Sequence, residues 1–220
     1  PVASRRRRAA PQSSLPGEVV LVLQGGGALG AYQVGVYEAL HDAGIEPAWV
    51  IGTSIGAINA ALIAGNLLEQ RLERLNAFWE HVEQPATMAG PLDWLGMGNW
   101  AANMTTVMRG IPAFFEPSTA ALRGTRANVG VESAAYYSTE PLRRTLGELV
   151  DFKSLKEGST RLTVGAVNAC SGVMRYFDSR REILCVEHVM ASGALPPAFP
   201  AVRIDGEPYW DGGIYSNTPI

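Results

Sequence analysis

Hydrophobic positions along the chain change rhythm several times, and each rhythm predicts an element. EVVLVLQ (18–24) is an almost unbroken apolar run rich in Val, the pattern of a short strand buried on both faces. Three glycines interrupt it, and AYQVGVYEALHDAG then has helical composition up to a C-cap at Gly44. AWVIGTS (48–54) reads as a second buried strand, and IGAINAALIAGN as a helix ending at Gly65 and Asn66. Strand, helix, strand and helix with short connections predict a parallel sheet. Leu68, Leu72, Leu75, Trp79 and Val82 then recur at the spacing of an amphipathic helix.

From about 85 to 131 the rhythm dissolves. This stretch carries Trp94, Trp100, Phe114, Phe115 and four methionines among repeated Gly and Pro, so it reads as an irregular apolar insertion with short helices. Pliable apolar residues of this kind suit a lid or acyl-chain channel, and they suit ordinary core packing equally well. Regular structure returns at STEPLRRTLGELV, a helix capped by Ser138 or Thr139 with Pro141 near its start. TRLTVGAVNAC and GVMRYFD read as consecutive strands joined near Ser171 and Gly172. A last helical piece at about 187–194 leads into a proline cluster and YWDGGIYSNTPI. There is no internal repeat.

Composition narrows the class. A chain of 220 residues, 47% hydrophobic with 24 Gly and 14 Pro, suits one loop-rich globular core. Residues 1–17 contain four arginines at 5–8, no acid and no periodicity, so they read as a mobile leader before a domain at 18–220. With those arginines set aside, the net charge of −3 becomes more negative, which argues against a nucleic-acid-binding domain. No stretch reaches the roughly 20 apolar residues of a membrane span, and no signal-peptide apolar region follows the arginines. Cys170 and Cys185 lack metal-ligand spacing, so reduced thiols in a cytoplasmic protein are expected, with no metal and no cofactor.

Two glycine motifs carry the chemistry. GGGALG fits G-x-G-x-x-G through Gly25, Gly27 and Gly30 between a strand and a helix, the context of a dinucleotide site. Such a site also needs an acid ending the second strand, whereas Glu46 lies before that strand and Thr53 and Ser54 end it. GTSIG (52–56) instead matches the nucleophile elbow G-x-S-x-G, in which flanking glycines let a serine stand exposed on a tight strand-to-helix turn. The alternative for Ser54 is a plain helix N-cap. Parallel neighbouring strands end on the same edge, so the Gly26 and Gly27 amides can reach the oxyanion formed when Ser54 attacks a carbonyl. For a base, His41 suits a helix-end role and His81 sits on the amphipathic helix, which leaves His188 as the one triad candidate. Asp211, in a WDGG turn, is the competing base, strengthened by partial desolvation. Its structural alternative is a turn residue.

QGGGALG, GTSIG, ASGALPPAFP and DGG, in this order, resemble the patatin-like phospholipases, bacterial members most of all, over residues 18–220. The resemblance implies a three-layer α/β/α fold with a mostly parallel central sheet, and a Ser–Asp dyad that needs no histidine. It makes Ser54 the nucleophile, Asp211 the proton acceptor, and Gly25, Gly26 and Gly27 the oxyanion loop. Gly30, Gly52, Gly56, Gly212 and Gly213 support the motifs, and Ser192, Pro196 and Pro197 border the site. Leu29 departs from the basic residue many members carry there, so charge-assisted phosphate recognition from that position is not expected. Family members continue past a similar N-x-P segment, so a fragment of a longer protein is expected. The expected activity is metal-independent hydrolysis of lipid carboxylic esters, of phospholipase A or lysophospholipase type, with peripheral contact at a membrane. A short-chain carboxylesterase and a dinucleotide-binding protein are the alternatives.

Overall fold

The computed structural model describes residues 17–83, 111, 113–118, 130–132 and 135–219. The four arginines at 5–8 lie outside these, as do Trp94, Trp100 and the methionines of the apolar insertion. The Val-rich run forms β1 (Val20–Leu23), the glycines turn into α1 (Ala31–Asp42), and β2 (Trp49–Thr53) returns parallel to β1. A parallel return requires such a crossover. Helix α2 (Ile55–Ala64) has no polar face because every one of its residues is buried, Asn59 included.

The amphipathic helix α3 (Arg71–Val82) starts later than its leucine spacing predicts. Leu68 falls in a 3-10 turn and is 41% exposed. In its place the first helical residue, Arg71, is buried. Its guanidinium bonds Glu46 at 3.0 Å and Thr160 at 2.9 Å, while the Tyr37 hydroxyl donates to Glu46 at 2.8 Å. Burial pushes the Tyr37 phenol upward in pKa. Glu46 and Thr160 precede β2 and β5 (Arg161–Asn168), so this network seals the N-terminal edge of the parallel strands.

A two-stranded ribbon, β3 (Glu116–Pro117) with β4 (Tyr137–Ser138), leads into α4 (Glu140–Leu149). The Ser138 hydroxyl accepts the Glu140 N–H at 3.3 Å, whereas Thr139 makes no side-chain cap. After β5 come β6 (Met174–Asp178), α5 (Val186–Ser192), β7 (Val202–Ile204) and β8 (Glu207–Asp211). Helices flank the resulting sheet, in keeping with the three-layer α/β/α class. Among the described residues no helix is long and apolar enough to cross a membrane.

The sheet is mixed rather than mostly parallel. β1, β2 and β5 run parallel, but β6 and β8 pair antiparallel with β5, and β7 with β8. Tight turns make the difference, since only antiparallel strands can be joined by a few residues. One turn uses Gly172 at φ +70°. The other uses Asp205 and Gly206 at φ +52° and +84°, the backbone of a two-residue hairpin.

Strand β5 organises everything around it. Gly165 pairs with Thr53 of β2 and with Tyr176 of β6; Ala166 pairs with Arg175 of β6 and with Asp211 of β8. A strand has two edges, and β6 occupies one, so β2 and β8 share the other. They run toward each other along it and stop on adjacent residues.

Candidate active site

The elbow begins where β2 leaves the sheet. Ser54 holds φ +56° and ψ −127°, a backbone conformation that costs a non-glycine residue about 1–3 kcal/mol. Close packing imposes it. A Cβ on Gly52 would lie 2.4 Å from the Gly56 carbonyl oxygen, and one on Gly56 would lie 2.1 Å from that of Leu23. Ser54 occupies the N-cap position of α2, yet its side chain caps nothing; its carbonyl receives the Ala57 and Ile58 N–H groups instead. The hydroxyl is thereby left to the cavity, which it lines together with Asp211.

Asp211 ends β8 and is 2% exposed. Burial raises the pKa of its carboxyl, while the Ser54 hydroxyl and the Gly213 N–H, which donates to Oδ1 at 2.7 Å, pull it back. Gly212 packs directly under this turn, its α-carbon against the Gly165 carbonyl. The two sequence-predicted reacting groups are therefore brought together, one beyond each of the strands that meet on β5.

The glycine loop is tied to the same place. The Gly25 N–H donates to the Asn217 carbonyl at 3.3 Å, and Asn217 Nδ2 donates back to the Gly25 carbonyl at 3.2 Å. The Gly25 amide is thus occupied, whereas the Gly26 and Gly27 N–H groups find no acceptor among the described residues. Gly27 sits at φ +56° on the cavity wall. Gly30 leads into α1, and its carbonyl accepts Asn59 Nδ2 at 3.0 Å. Asn59 also accepts the Trp79 indole N–H at 3.1 Å, which pins loop, α2 and α3 together.

Sequence reasoning missed three participants. Asn217 straps the loop to the Asp211 segment. Ile55 opens α2, where a first-turn N–H has no partner within the helix and stands next to Ser54. Ser192, placed beforehand only on the border of the site, has its hydroxyl accept the Ser54 N–H at 3.0 Å and donate to the Gly165 carbonyl at 2.6 Å. No periodicity marks such contacts, because their partners lie more than a hundred residues away in the case of Ser54.

A cavity of about 710 Å³ opens over Ser54 and Asp211. Its walls include Ile58, Trp79, Ile111, Phe114, Phe115 and Phe199. Phe115 and Phe199 lie 5.4 Å apart between ring centres, and both meet Tyr137 or Phe114 in tilted or edge-on contacts. The described end of the apolar insertion thus reaches this wall. Pro196 and Pro197 lie between α5 and β7, just before Phe199. Leu29 is largely exposed and lies outside the cavity lining.

The histidines are elsewhere. His188 is buried with Nδ1 accepting the Cys185 N–H at 3.0 Å and its ring edge-on to Phe177; burial lowers its pKa, and it does not line the cavity. His41 pairs with Glu46 at 2.5 Å, and His81 is exposed near the end of α3. Glu46 is committed to Arg71, His41 and Tyr37 on the opposite edge of the sheet from the glycine loop, so it cannot serve a ribose there. Among the described residues no cluster of three or more His, Cys, Asp or Glu side chains could hold a metal ion.

Comparison with known proteins follows the same lines. Part of the chain is 61% identical over 46 residues to lysophospholipase nte1 of Aspergillus terreus, a match covering 21% of this chain and 3% of the fungal protein. The crystal structure of VipD from Legionella pneumophila superposes with a TM-score of 0.51 at 19% identity, covering 96% of this chain and 48% of VipD. The chain therefore spans about half the length of VipD and a small part of the fungal protein. The family model for patatin-like phospholipase matches residues 21–220. A match that takes in the glycine loop, the elbow and the Asp211 turn in one span shows the family, and the chain belongs to the patatin-like phospholipases.

Proposed function

We propose that the protein hydrolyses carboxylic esters of lipids, of the phospholipase A or lysophospholipase type, with Ser54 and Asp211 as its catalytic pair. The observation that carries this reading is the meeting of the two side chains over one apolar cavity, on strands that abut beside β5. Ser54 Oγ attacks the ester carbonyl carbon as Asp211 accepts the hydroxyl proton. The Gly26 and Gly27 amides, joined by that of Ile55 at the start of α2, receive the oxyanion, and Gly25 shapes the loop from its place on Asn217. Collapse of the tetrahedral intermediate expels the alcohol, which takes the proton from Asp211. Water, deprotonated by the same carboxylate, then releases the fatty acid and restores Ser54.

The size and apolar walls of the cavity favour a long acyl chain over a short-chain ester, since a site of roughly 300–1,000 Å³ holds a sizeable apolar ligand. Phe114 and Phe115 would form part of the wall of that acyl site. Leu195, Ile214 and Tyr215, exposed beside the Asp211 turn, offer the apolar contact a peripheral protein makes with a membrane surface.

Intact-mass analysis after fluorophosphonate treatment tests the assignment. One adduct is expected, on Ser54, and none in Ser54→Ala. A folded, full-length protein that takes no adduct, or takes it on another serine, overturns it.

A further inference from the structure

We infer that Ser192 is a positioning residue that sets how far the nucleophile stands off the sheet; this rests on the reading of Ser54 as the attacking group. The pairing of β2 with β5 fixes the phase of the ladder. The Arg161 N–H donates to the Ala48 carbonyl at 2.8 Å, and Thr53 lies opposite Gly165. In a parallel ladder of that phase, the next rung would run from the Ser54 N–H to the Gly165 carbonyl. Both groups are present, but the rung is not closed directly. The Ser192 hydroxyl stands between them, accepting from Ser54 at 3.0 Å and donating to Gly165 at 2.6 Å.

An oxygen spliced into that rung bridges the end of β2 to β5 at the point where Ser54 takes up φ +56°. It also satisfies an N–H and a carbonyl beside the apolar cavity. Asp211 starts from the neighbouring rung, at Ala166. The length of the Ser54–Ser192–Gly165 bridge therefore bears directly on the gap between the Ser54 hydroxyl and the Asp211 carboxyl. Ser192 is fully buried and its proton is committed to Gly165, so it acts through Ser54 and is not a second nucleophile. Removing its hydroxyl leaves two outcomes. Either the rung closes and draws Ser54 onto the sheet, or the Ser54 N–H loses its acceptor and the elbow loosens. Both misplace the attacking oxygen, and a shift of about 1 Å costs on the order of 100-fold in rate.

The test compares the full chain as wild type, Ser192→Ala and Ser192→Cys in two assays: the rate constant for fluorophosphonate labelling of Ser54, and kcat and KM for an ester. A labelling rate constant reports only folded molecules, so a loss of folded material does not imitate a loss of positioning. Ser192→Ala is expected to lower the labelling rate constant and kcat together by about 10- to 100-fold with KM unchanged. Ser192→Cys keeps a weak donor and acceptor of similar shape and is expected to fall between. A wild-type rate constant in Ser192→Ala overturns the proposal. If the alanine variant yields no folded protein, the cysteine variant decides in the same way. Wild-type protein that takes no label on Ser54 removes the nucleophile assignment itself, and the proposal falls with it.

Discussion

A carboxyl group sealed from water is a weaker acid and a stronger base, and Asp211 illustrates both sides of that exchange. Its folded-state pKa lies above the ordinary carboxylate value because burial disfavours the charge. The folded state therefore holds its proton longer than the unfolded chain does, and stability falls as pH rises through the interval between the two values. Asp211→Asn should abolish ester turnover and raise the melting temperature at pH 7, with no gain at about pH 3, where both states carry the protonated acid. Thermal melts at the two pH values check this; a lower melting temperature at pH 7 contradicts it. For the wild type, kcat/KM should decline on acidification with a midpoint above the ordinary carboxylate range. At this scale much was legible, because GTSIG and WDGG place glycines where backbones must approach. The residues alone left Asp211 and His188 competing, since that choice turns on which side chain faces the cavity, and the family resemblance made it for Asp211.

Elements were legible where their rhythm was local. The strand and helix pairs on either side of the glycine loop and the elbow follow from apolar runs and glycine stops. The start of α3 does not, because Arg71 is drawn inward by Glu46 and Thr160, and a hydrophobic count gives no credit to a paired buried cation. β7 was overlooked although Asp205 and Gly206 spell a hairpin turn, because the strand before that turn is only three residues long. That turn holds β8 in register, and a slip of one residue would rotate Asp211 to the other face. Gly206→Val, at φ +84°, should destabilise the fold by about 1–2 kcal/mol in denaturant titration and leave kcat per folded molecule unchanged. An unchanged denaturation midpoint would mean that the turn does not hold the hairpin.

Across the whole molecule, the two edges of the parallel strands have separate duties. The N-terminal edge is closed by Tyr37, His41, Glu46, Arg71 and Thr160, and the C-terminal edge carries Ser54 and the glycine loop. Arg71→Ala leaves Glu46 to Tyr37 and His41 alone and takes a donor from the buried Thr160 hydroxyl, and should cost about 1–3 kcal/mol of stability. The Ser54 labelling rate constant of the remaining folded protein should equal that of the wild type, and a slower one would tie this network to the chemistry. Four short sequence blocks sufficed for the family and its layered architecture. The head-on meeting of β2 and β8 was beyond their reach, because register between distant strands leaves no trace in either one alone. That meeting has an evolutionary corollary. With Ser54 and Asp211 gauged across neighbouring rungs of a single strand, the connections that link β2, β5 and β8 can lengthen, shrink or take in new modules without resetting that spacing, provided β5 and Ser192 are kept, so the choice of substrate can drift while the pair stays in place.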